Sequence, residues 1–581
     1  MTNQDVAKKL REVFTMMQLA GENRFRAIAF DRAAQTIEGL NEEVENYIIN
    51  DSLTDIKGIG NSIAEDIKAL AETGTMPVLE DLKERVPKGL IAWLDISGLG
   101  PKNIVKIHKK LDITEISELK EACQSGAVAE LPGLGKKSAE KILKSIQYLE
   151  EFGERCRIDQ ALEVAEPMLE FISNLPGVQK AEIAGSLRRS NETIGDVDVI
   201  AAAEKEDVSD IFDAFVNHDL VVELLGRGDT KSSVRTENGR QVDLRIVTEQ
   251  EYPAALLYFT GSKEHNIVLR QRARDRGMSL NEYGLFKLSD EKETDFDQPV
   301  ETSSESDIYE KLDLHFVPPE HREDRGEVEF YEGNEKMELL EESQIKGVVH
   351  AHSTYSDGKY TIKQMADACI ERGYEYLTVT DHSKTAAYAG GLSVEEVKKQ
   401  WGEIDKLNEE YADKNFRIIK GIESDILSDG SLDYPDEILE GFEIVIASVH
   451  SGLEMEFDKM MARFEAAIKN PYTHMIGHPT GRLLLRRDES KIELNKLIEL
   501  AAEHNTAIEI NANPRRLDLD WRFGNKAKET GLLTSINPDA HSTDGIDDIR
   551  YGVMIARKAK FSPDRVLNTK SAEEFAEWLG L

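Results

Sequence analysis

Toward the end of the chain, histidines and acids recur where short apolar runs stop. His350-Ala351-His352 closes one run, with Asp357 five residues on, and Thr380-Asp381-His382-Ser383 closes a second. Gly421-Ile422-Glu423-Ser424-Asp425, Ser448-Val449-His450-Ser451, Ile476-Gly477-His478-Pro479 and Asn537-Pro538-Asp539-Ala540-His541 close later ones. Imidazole combined with carboxylate suits Zn²⁺, Mn²⁺ or iron, and several such ligands at one mouth favour a multinuclear cluster. A water bound there ionises near neutral pH and attacks phosphorus. Any one of these histidines alone is an ordinary buried residue. Their joint placement at run ends carries the inference.

A second constellation lies nearer the middle. Ala184-Gly185-Ser186-Leu187-Arg188-Arg189 is followed by Ile194-Gly195-Asp196-Val197-Asp198, and later by Arg240-Gln241-Val242-Asp243-Leu244-Arg245. In a strand, residues i and i+2 share a face, so Asp196 and Asp198 project together. A neighbouring strand bearing Asp243 brings in a third carboxylate. Three like charges so placed are costly unless they bind cations, and hard oxygen ligands suit Mg²⁺. Two such ions serve transfer of a nucleotide from a triphosphate. Gly185 permits close phosphate approach, Ser186 can hydrogen-bond it, and Arg189 adds positive charge.

The elements that must position these groups differ along the chain. Residues 1–150 read as amphipathic helices joined by Gly-containing turns. One pattern recurs three times: Ile56-Lys57-Gly58-Ile59-Gly60, Ile96-Ser97-Gly98-Leu99-Gly100 and Leu131-Pro132-Gly133-Leu134-Gly135, each running into a helix. Glycine removes the Cβ and a helix N-terminus supplies partial positive charge, so a phosphate can approach. Lys102, Lys136 and Lys137 follow the second and third turns, and between Ile96 and Ile146 nine Lys face six Asp or Glu, a local balance of 9 − 6 = +3. These turns read as helix-hairpin-helix units gripping DNA backbone at Gly58, Gly60, Gly98, Gly100, Lys102, Gly133, Gly135, Lys136 and Lys137, without reading sequence. A plain helical bundle with tight turns is the alternative.

From 151 to 318 short β-rich runs such as Lys180–Ala184, Val197–Ala201 and Gln241–Val247 alternate with helices. A charged stretch over 319–343 reads as a linker. From 344 onward, runs at Tyr376–Val379, Arg417–Lys420, Ile444–Ser448, Ala507–Asn511 and Leu533–Asn537 alternate with helices. That order fits a parallel (β/α) barrel, whose site lies at the C-terminal ends of its strands.

Residues 1–318 resemble the family X DNA polymerases, and the Gly-Ser…Gly-Asp-x-Asp…Asp series belongs to the wider nucleotidyltransferase superfamily. Tyr258-Phe259-Thr260-Gly261-Ser262, then Asn266 and Arg270, then Asn281-Glu282-Tyr283-Gly284-Leu285 tighten the match. The resemblance implies catalysis by Asp196, Asp198 and Asp243 with Mg²⁺. It further implies nucleotide contacts from Gly185, Ser186, Arg189, Gly195, Tyr258, Phe259, Gly261, Asn266 and Arg270. Aligned on Gly58-Ile59-Gly60, the position of the family's Schiff-base lysine holds Asp66; a carboxylate forms no imine, so lyase chemistry by that residue is not implied. Gln241 stands where an Arg would neighbour the third carboxylate.

Residues 344–581 resemble a PHP domain, a metal-dependent phosphoesterase fold. The resemblance places nine ligands on His350, His352, Asp357, His382, Glu423, His450, His478, Asp539 and His541, holding Mn²⁺ or Zn²⁺. Arg482 is expected to clamp phosphate. The implied whole is a multidomain α/β protein. A first helical domain spans 1–95 and a second 96–150; a nucleotidyltransferase α+β palm spans 151–250 and a nucleotide-selection subdomain 251–318. A linker over 319–343 precedes a distorted (β/α) barrel of PHP type over 344–581.

The implied activity is gap-filling DNA synthesis with 3′→5′ exonuclease, and abasic-site incision or 3′-end cleaning beside it. The expected partners are gapped or primed duplex DNA and deoxynucleoside triphosphates, met by a monomer. The alternatives are a phosphoesterase with a non-synthetic DNA anchor and a non-catalytic DNA-bridging scaffold.

Composition sets bounds on all of this. With 72 basic and 110 acidic residues, net charge −38, the chain as a whole repels nucleic acid, so DNA binding must rest on local basic groups. The acid surplus would also suit a saline cytoplasm. Cys123, Cys156 and Cys369 form no CxxC pair, which excludes a Cys-type zinc site and a disulfide framework. No apolar run reaches the roughly 20 residues of a membrane span, and the start carries no apolar signal region, so a cytoplasmic location and no membrane partner are expected.

Overall fold

A computed structural model describes residues 3–38, 40, 44–50, 52–96, 99–152, 155–289, 293–333 and 337–581. The chain divides into two compact units, Met1–Glu154 and Arg155–Leu581.

The first unit is helical. One apolar core runs from Val6 to Ile146, so the two expected helical domains share a single interior. Its three glycine turns repeat one hydrogen-bond pattern. The amides of Ile59, Leu99 and Leu134 bond the carbonyls of Ile56, Ile96 and Leu131 at 3.0, 3.0 and 2.9 Å, while Gly60, Gly100 and Gly135 each accept the first helical bond, from Ala64, Ile104 and Ala139. Helices Asn61–Thr73, Pro101–Leu111 and Lys136–Phe152 start there. The second shows why: Pro101 is preset for a first helical position, and His108, Lys109 and Lys110 suit the negative end of the helix dipole.

The second unit begins with a five-stranded sheet in the order Val178–Ile183, Val197–Ala203, Gln241–Val247, Lys231–Thr236, Val221–Arg227. Helices Tyr252–Thr260 and Lys263–Asp275 lead to a three-stranded antiparallel sheet, Met278–Asn281, Gly284–Leu288 and Thr294–Val300. Ser262 caps the second of these helices, its hydroxyl accepting from the His265 amide.

Seven parallel strands follow in sequence order: Gly347–Ala351, Tyr376–Val379, Arg417–Asp425, Ile444–Ser448, Met475–Ile476, Ala507–Asn511 and Thr534–Asn537. Their residues are buried almost throughout, as strands covered on both faces must be. The sheet closes on itself where the Ala540 amide donates to the His350 carbonyl at 3.2 Å and the His352 amide to the Ala540 carbonyl at 2.9 Å. This is the barrel that the strand–helix alternation implied.

The charged stretch read as a linker is, over 319–333, part of the fold. It forms a turn of 3₁₀ helix at Pro319–His321 and a helix at Glu327–Gly333, and Glu320, His321, Arg322 and Glu327 are buried. The buried charges, and Glu323 beside them, have partners. Arg557 donates to Glu320 at 2.7 Å and the Lys558 ammonium to Glu323 at 2.6 Å, His265 meets Glu327 at 2.6 Å, and Arg322 donates to Glu305 at 2.6 Å. A charge run is solvated only when its counter-charges are absent, and here the barrel helix Ile549–Lys558 supplies two of them. Arg482, expected as a phosphate clamp, likewise serves packing. It is buried and donates to Asp520 at 2.9 Å and to Glu192 at 3.1 Å, tying the barrel to the bend that precedes the short strand Thr193–Ile194.

Candidate active sites: a carboxylate trio and a histidine-rich barrel mouth

The parallel pairing of Val197–Ala203 with Gln241–Val247 sets Asp198 directly opposite Asp243. Asp196 lies in the bend just before the first of these strands. One ligand atom from each of the three falls within 4.8 Å of the others. Burial, and then the carboxylates of Asp196 and Asp243, push Asp198 up to about 7. Such crowding is what a bound cation relieves, so these residues fit the divalent ions their chemistry calls for. Two groups hold Asp243 in place. Gln241 donates to its Oδ1 at 3.0 Å, and the Lys231 ammonium lies 2.6 Å from its Oδ2. Lys231 was missed in the sequence because it reaches the trio across a strand pair whose register only the fold sets.

Gly185 has φ +62°, and a Cβ there would overlap Asp198 Oδ2. Only glycine leaves the carboxylate its position, beyond any role toward phosphate. Ser186 follows in the short helix Gly185–Arg188 and Gly195 is exposed in the bend beside Asp196. Arg189 does not point freely at the trio. Its Nε donates to Glu323 at 3.0 Å and its Nη1 to the Thr260 carbonyl at 2.6 Å, beside Gly261. Tyr258 and Phe259 meet edge to face at 5.1 Å, and the Arg245 guanidinium lies 4.2 Å over the Phe259 ring. Arg245 is two residues past Asp243, so the end of helix Tyr252–Thr260 rests against the strand that carries the trio. Asn266 donates to the Tyr258 carbonyl at 2.7 Å, leaving its buried Oδ1 unpartnered. Arg270, one turn on in the same helix, shares its face.

In the first unit Gly58, Gly60, Gly100, Gly133 and Gly135 are exposed, as are Lys102, Lys136 and Lys137; Gly98 lies outside the described residues. A Cβ on Gly60, Gly100 or Gly135 would meet nothing within 4 Å, and none of the three has positive φ. Neither backbone conformation nor packing demands glycine there. Asp66 is buried, and burial pushes its carboxyl up.

The nine residues of the barrel mouth interlock. Glu423 is the hub: its Oε1 lies 3.0 Å from His478, 3.2 Å from His450 and 3.5 Å from His350, and its Oε2 2.9 Å from His382 and 3.7 Å from His352. Asp539 lies 3.1 Å from His352, and Asp357 lies 3.3 Å from His541 and 3.7 Å from His382. Three sets drawn from these residues, around His352, Glu423 and His382, each bring their ligand atoms within 4.8 Å of one another. His350, His478 and Asp539 have φ of +69°, +24° and +52°. Left-handed backbone costs such residues on the order of 1 kcal/mol or more and persists where the surroundings over-determine it.

Buried side-chain atoms here lack hydrogen bonds: His350 Nε2, His352 Nδ1, His382 Nδ1, His478 Nδ1 and Glu423 Oε2. Orphaned donor atoms converging from several strands fit a metal cluster. Charge is divided sharply among them. Burial lowers His450, but Glu423 and Asp425 more than reverse this, to about 10, whereas burial and then His382 and His541 push His352 down to about 3.

Two acids outside the nine orient them. Glu509, fully buried in Ala507–Asn511, accepts from His350 Nδ1 at 2.8 Å and from the His478 amide at 2.6 Å. Asp425 meets His450 Nδ1 at 2.6 Å. Carboxylates in this position fix which ring nitrogen is left to face a metal ion. Glu509 was missed, though a lone acid inside the apolar run Ala507-Ile508-Glu509-Ile510 was a readable sign of a paired buried charge.

Comparison with known proteins fits this division. A helix-hairpin-helix domain matches residues 1–76 and a SAM-like helix-hairpin-helix tandem matches 90–147. A DNA polymerase beta thumb matches 255–323 and a PHP domain 349–513. The chain is 40% identical, over 581 residues and 99% of the relative's length, to the DNA polymerase/3′-5′ exonuclease PolX of Bacillus subtilis (strain 168). It is 25% identical over 344 residues, 55% of this chain and 56% of the relative, to DNA polymerase lambda of Rattus norvegicus. It is 30% identical over 231 residues, 38% of this chain and 89% of the relative, to a probable phosphatase of Thermoanaerobacter sp. (strain X514). The chain belongs to the family X DNA polymerases that carry helix-hairpin-helix, thumb and PHP domains.

Proposed function

We propose that this protein is a DNA-directed DNA polymerase that fills short gaps and trims 3′ ends, with synthesis at Asp196, Asp198 and Asp243 and 3′→5′ exonuclease at the barrel mouth. The observation that carries this is the presence, in one chain, of two separate groups of cation-seeking side chains with different donor chemistry: three carboxylates in one, histidines with acids in the other. Oxygen donors alone suit Mg²⁺, whereas mixed imidazole and carboxylate suit Mn²⁺ or Zn²⁺. Bound metal supplies Lewis acidity for phosphoryl transfer at the first site and for phosphodiester hydrolysis at the second.

The chain's own groups do the rest. Asp198 and Asp243 face each other across paired strands, and Gly185 leaves room for Asp198 to keep its place. Tyr258 and Phe259 stand at the end of a helix packed on the carboxylate strand, with Asn266 of the next helix bonded to the Tyr258 carbonyl, where a deoxynucleotide's sugar and base would lie. Ser186, Gly195, Gly261, Arg189 and Arg270 are the remaining nucleotide contacts, Arg189 acting once it is drawn from Glu323 toward a triphosphate. Open glycines at Gly60, Gly100 and Gly135, with Gly58, Gly133, Lys102, Lys136 and Lys137 beside them, suit close approach of DNA phosphates. At the barrel mouth, Glu509 and Asp425 hold the rings of His350 and His450 so that their other nitrogens would face the metal ions. Incision at an abasic site is the same hydrolysis at an internal phosphodiester, and 3′-end cleaning is the same hydrolysis at a blocked terminus.

Primer extension and degradation scored in the same lanes on a gapped duplex test this. Asp243→Ala should abolish extension and spare degradation; His352→Ala should do the reverse. Loss of both activities in either variant would refute two separate sites.

A further inference from the structure

At the barrel mouth one large ring faces solvent. Tyr388 is 74% exposed, yet its ring centre lies 6.4 Å from that of His382 and 6.5 Å from that of His450. The loop that carries it is firmly seated. Ala386 and Ala389 on either side are buried, and the Ala386 carbonyl accepts from Ala389 at 2.9 Å and from Gly391 at 3.1 Å. A Cβ on Gly391 would overlap the Ser383 carbonyl. Thr385 bonds Asp425 and Asp433 at 2.7 Å each. An anchored loop therefore holds an aromatic face out in water beside two of the proposed metal ligands, where most of the ring is left for a partner from outside the chain.

Arginines gather at another edge of the same mouth. The segments 481–487 and 513–517 are joined by the Leu484 amide donating to the Arg515 carbonyl at 2.7 Å. Arg486 and Arg515 are exposed, Arg487 donates to the Gly481 carbonyl, and Arg516 Nε lies 3.9 Å from the proposed ligand Asp539. Burial, and then the guanidinium groups of Arg516 and Arg486, push Arg487 down, so these cations stand close enough to repel one another. In a chain of net charge −38, grouped cations await an anion. A stacking ring next to a basic track is the means by which proteins hold single-stranded nucleic acid.

We infer that Tyr388 stacks on the 3′-terminal base of a single DNA strand whose phosphates run over Arg486, Arg487, Arg515 and Arg516, so that the barrel mouth selects nucleic acid ends over small phosphate esters. This rests on the exonuclease reading above. Tyr388 is a specificity-determining residue here, and it takes no part in the bond cleavage.

The test pairs a binding readout with a rate. A single-stranded oligonucleotide carrying 2-aminopurine at its 3′ end, in EDTA, loses fluorescence when the base stacks. The full-length protein should quench it, Tyr388→Phe should quench it equally, and Tyr388→Ala should not. With Mn²⁺, Tyr388→Ala should slow removal of a normal 3′ nucleotide on the order of 10-fold or more, and leave removal of a 3′-terminal abasic nucleotide unchanged. The Arg486→Ala/Arg515→Ala pair should weaken binding of both ends alike and lower the salt slope by about 1.4, at ~0.7 per lost phosphate contact on a single strand. Undiminished quenching by Tyr388→Ala, or equal slowing on both ends, would overturn the inference. Should the wild type shorten neither end, the exonuclease reading fails, and quenching in EDTA still decides whether Tyr388 holds a base.

Discussion

Gly185→Ala isolates the carboxylate trio from everything else in the molecule. At φ +62° an added Cβ is already strained, by roughly 1–2 kcal/mol. It would also overlap Asp198 Oδ2 and stand 3.2 Å from Asp198 Cγ. The backbone on either side is fixed, since the Ala184 amide donates to the Asp198 carbonyl at 2.8 Å. The carboxylate must therefore swing away by on the order of 1 Å, and a misplacement of ~1 Å at a reacting centre costs about 100-fold in rate. Steady-state single-nucleotide insertion on a gapped duplex should show that loss in kcat. Degradation of the same duplex should stay within about twofold, because the barrel mouth shares no residue with the trio. Insertion by Gly185→Ala within threefold of wild type would refute the claim that Asp198 must stay where Gly185 lets it lie. Gly185→Ser, with a Cβ in the same place, should behave alike.

Three further outcomes follow from particular contacts. Burial pushes the Glu305 carboxyl up, but Arg322 and Arg188 more than reverse it, to about 2. Against an unfolded value near 4.5, the unfolded chain binds a proton that the folded chain refuses between those values. About 3 kcal/mol of stability is thus full above pH 4.5 and drains as pH falls toward 2; urea unfolding across that range should show the decline, and Glu305→Gln should lack it. Glu509→Gln keeps the shape but removes the charge that orients His350, so affinity for Mn²⁺ in a competitive chelator titration should drop about 10–100-fold, with polymerisation intact. Replacing Gly60, Gly100 and Gly135 together by alanine should leave thermal unfolding unchanged, since no Cβ there meets the protein. It should weaken DNA binding at every sequence tested, and normal affinity would remove those turns from the DNA interface.

Much of the grouping of these side chains could be read before any coordinates, for physical reasons visible in particular residues. Histidines and acids that end apolar runs stand out because few other roles put six imidazoles on strand tips, and the barrel gathers those nine side chains at one mouth. Asp198 and Asp243 were readable because Gly185-Ser186 and the spaced carboxylates occur in a fixed order. What escaped depends on partners far away in sequence. The stretch around Glu323 looked like a solvated linker because its charges are dense; its counter-ion Lys558 lies 235 residues on. Arg482 looked like a phosphate ligand because it follows His478-Pro479-Thr480-Gly481, yet its charge is taken by Glu192 from 290 residues upstream. Lys231 could not be seen as the neighbour of Asp243 without the strand register. Local pattern names the reactive groups, and tertiary pairing decides which cations are free to meet a substrate.

The central claim, two metal centres of different composition in one chain, is met most directly by anomalous scattering from crystals soaked in Mn²⁺ with a non-hydrolysable deoxynucleotide analogue. The account predicts peaks among His350, His352, Asp357, His382, Glu423, His450, His478, Asp539 and His541, and a distinct group between Asp196, Asp198 and Asp243. Density at the barrel mouth alone, with the three carboxylates bare in the presence of the nucleotide, would contradict it.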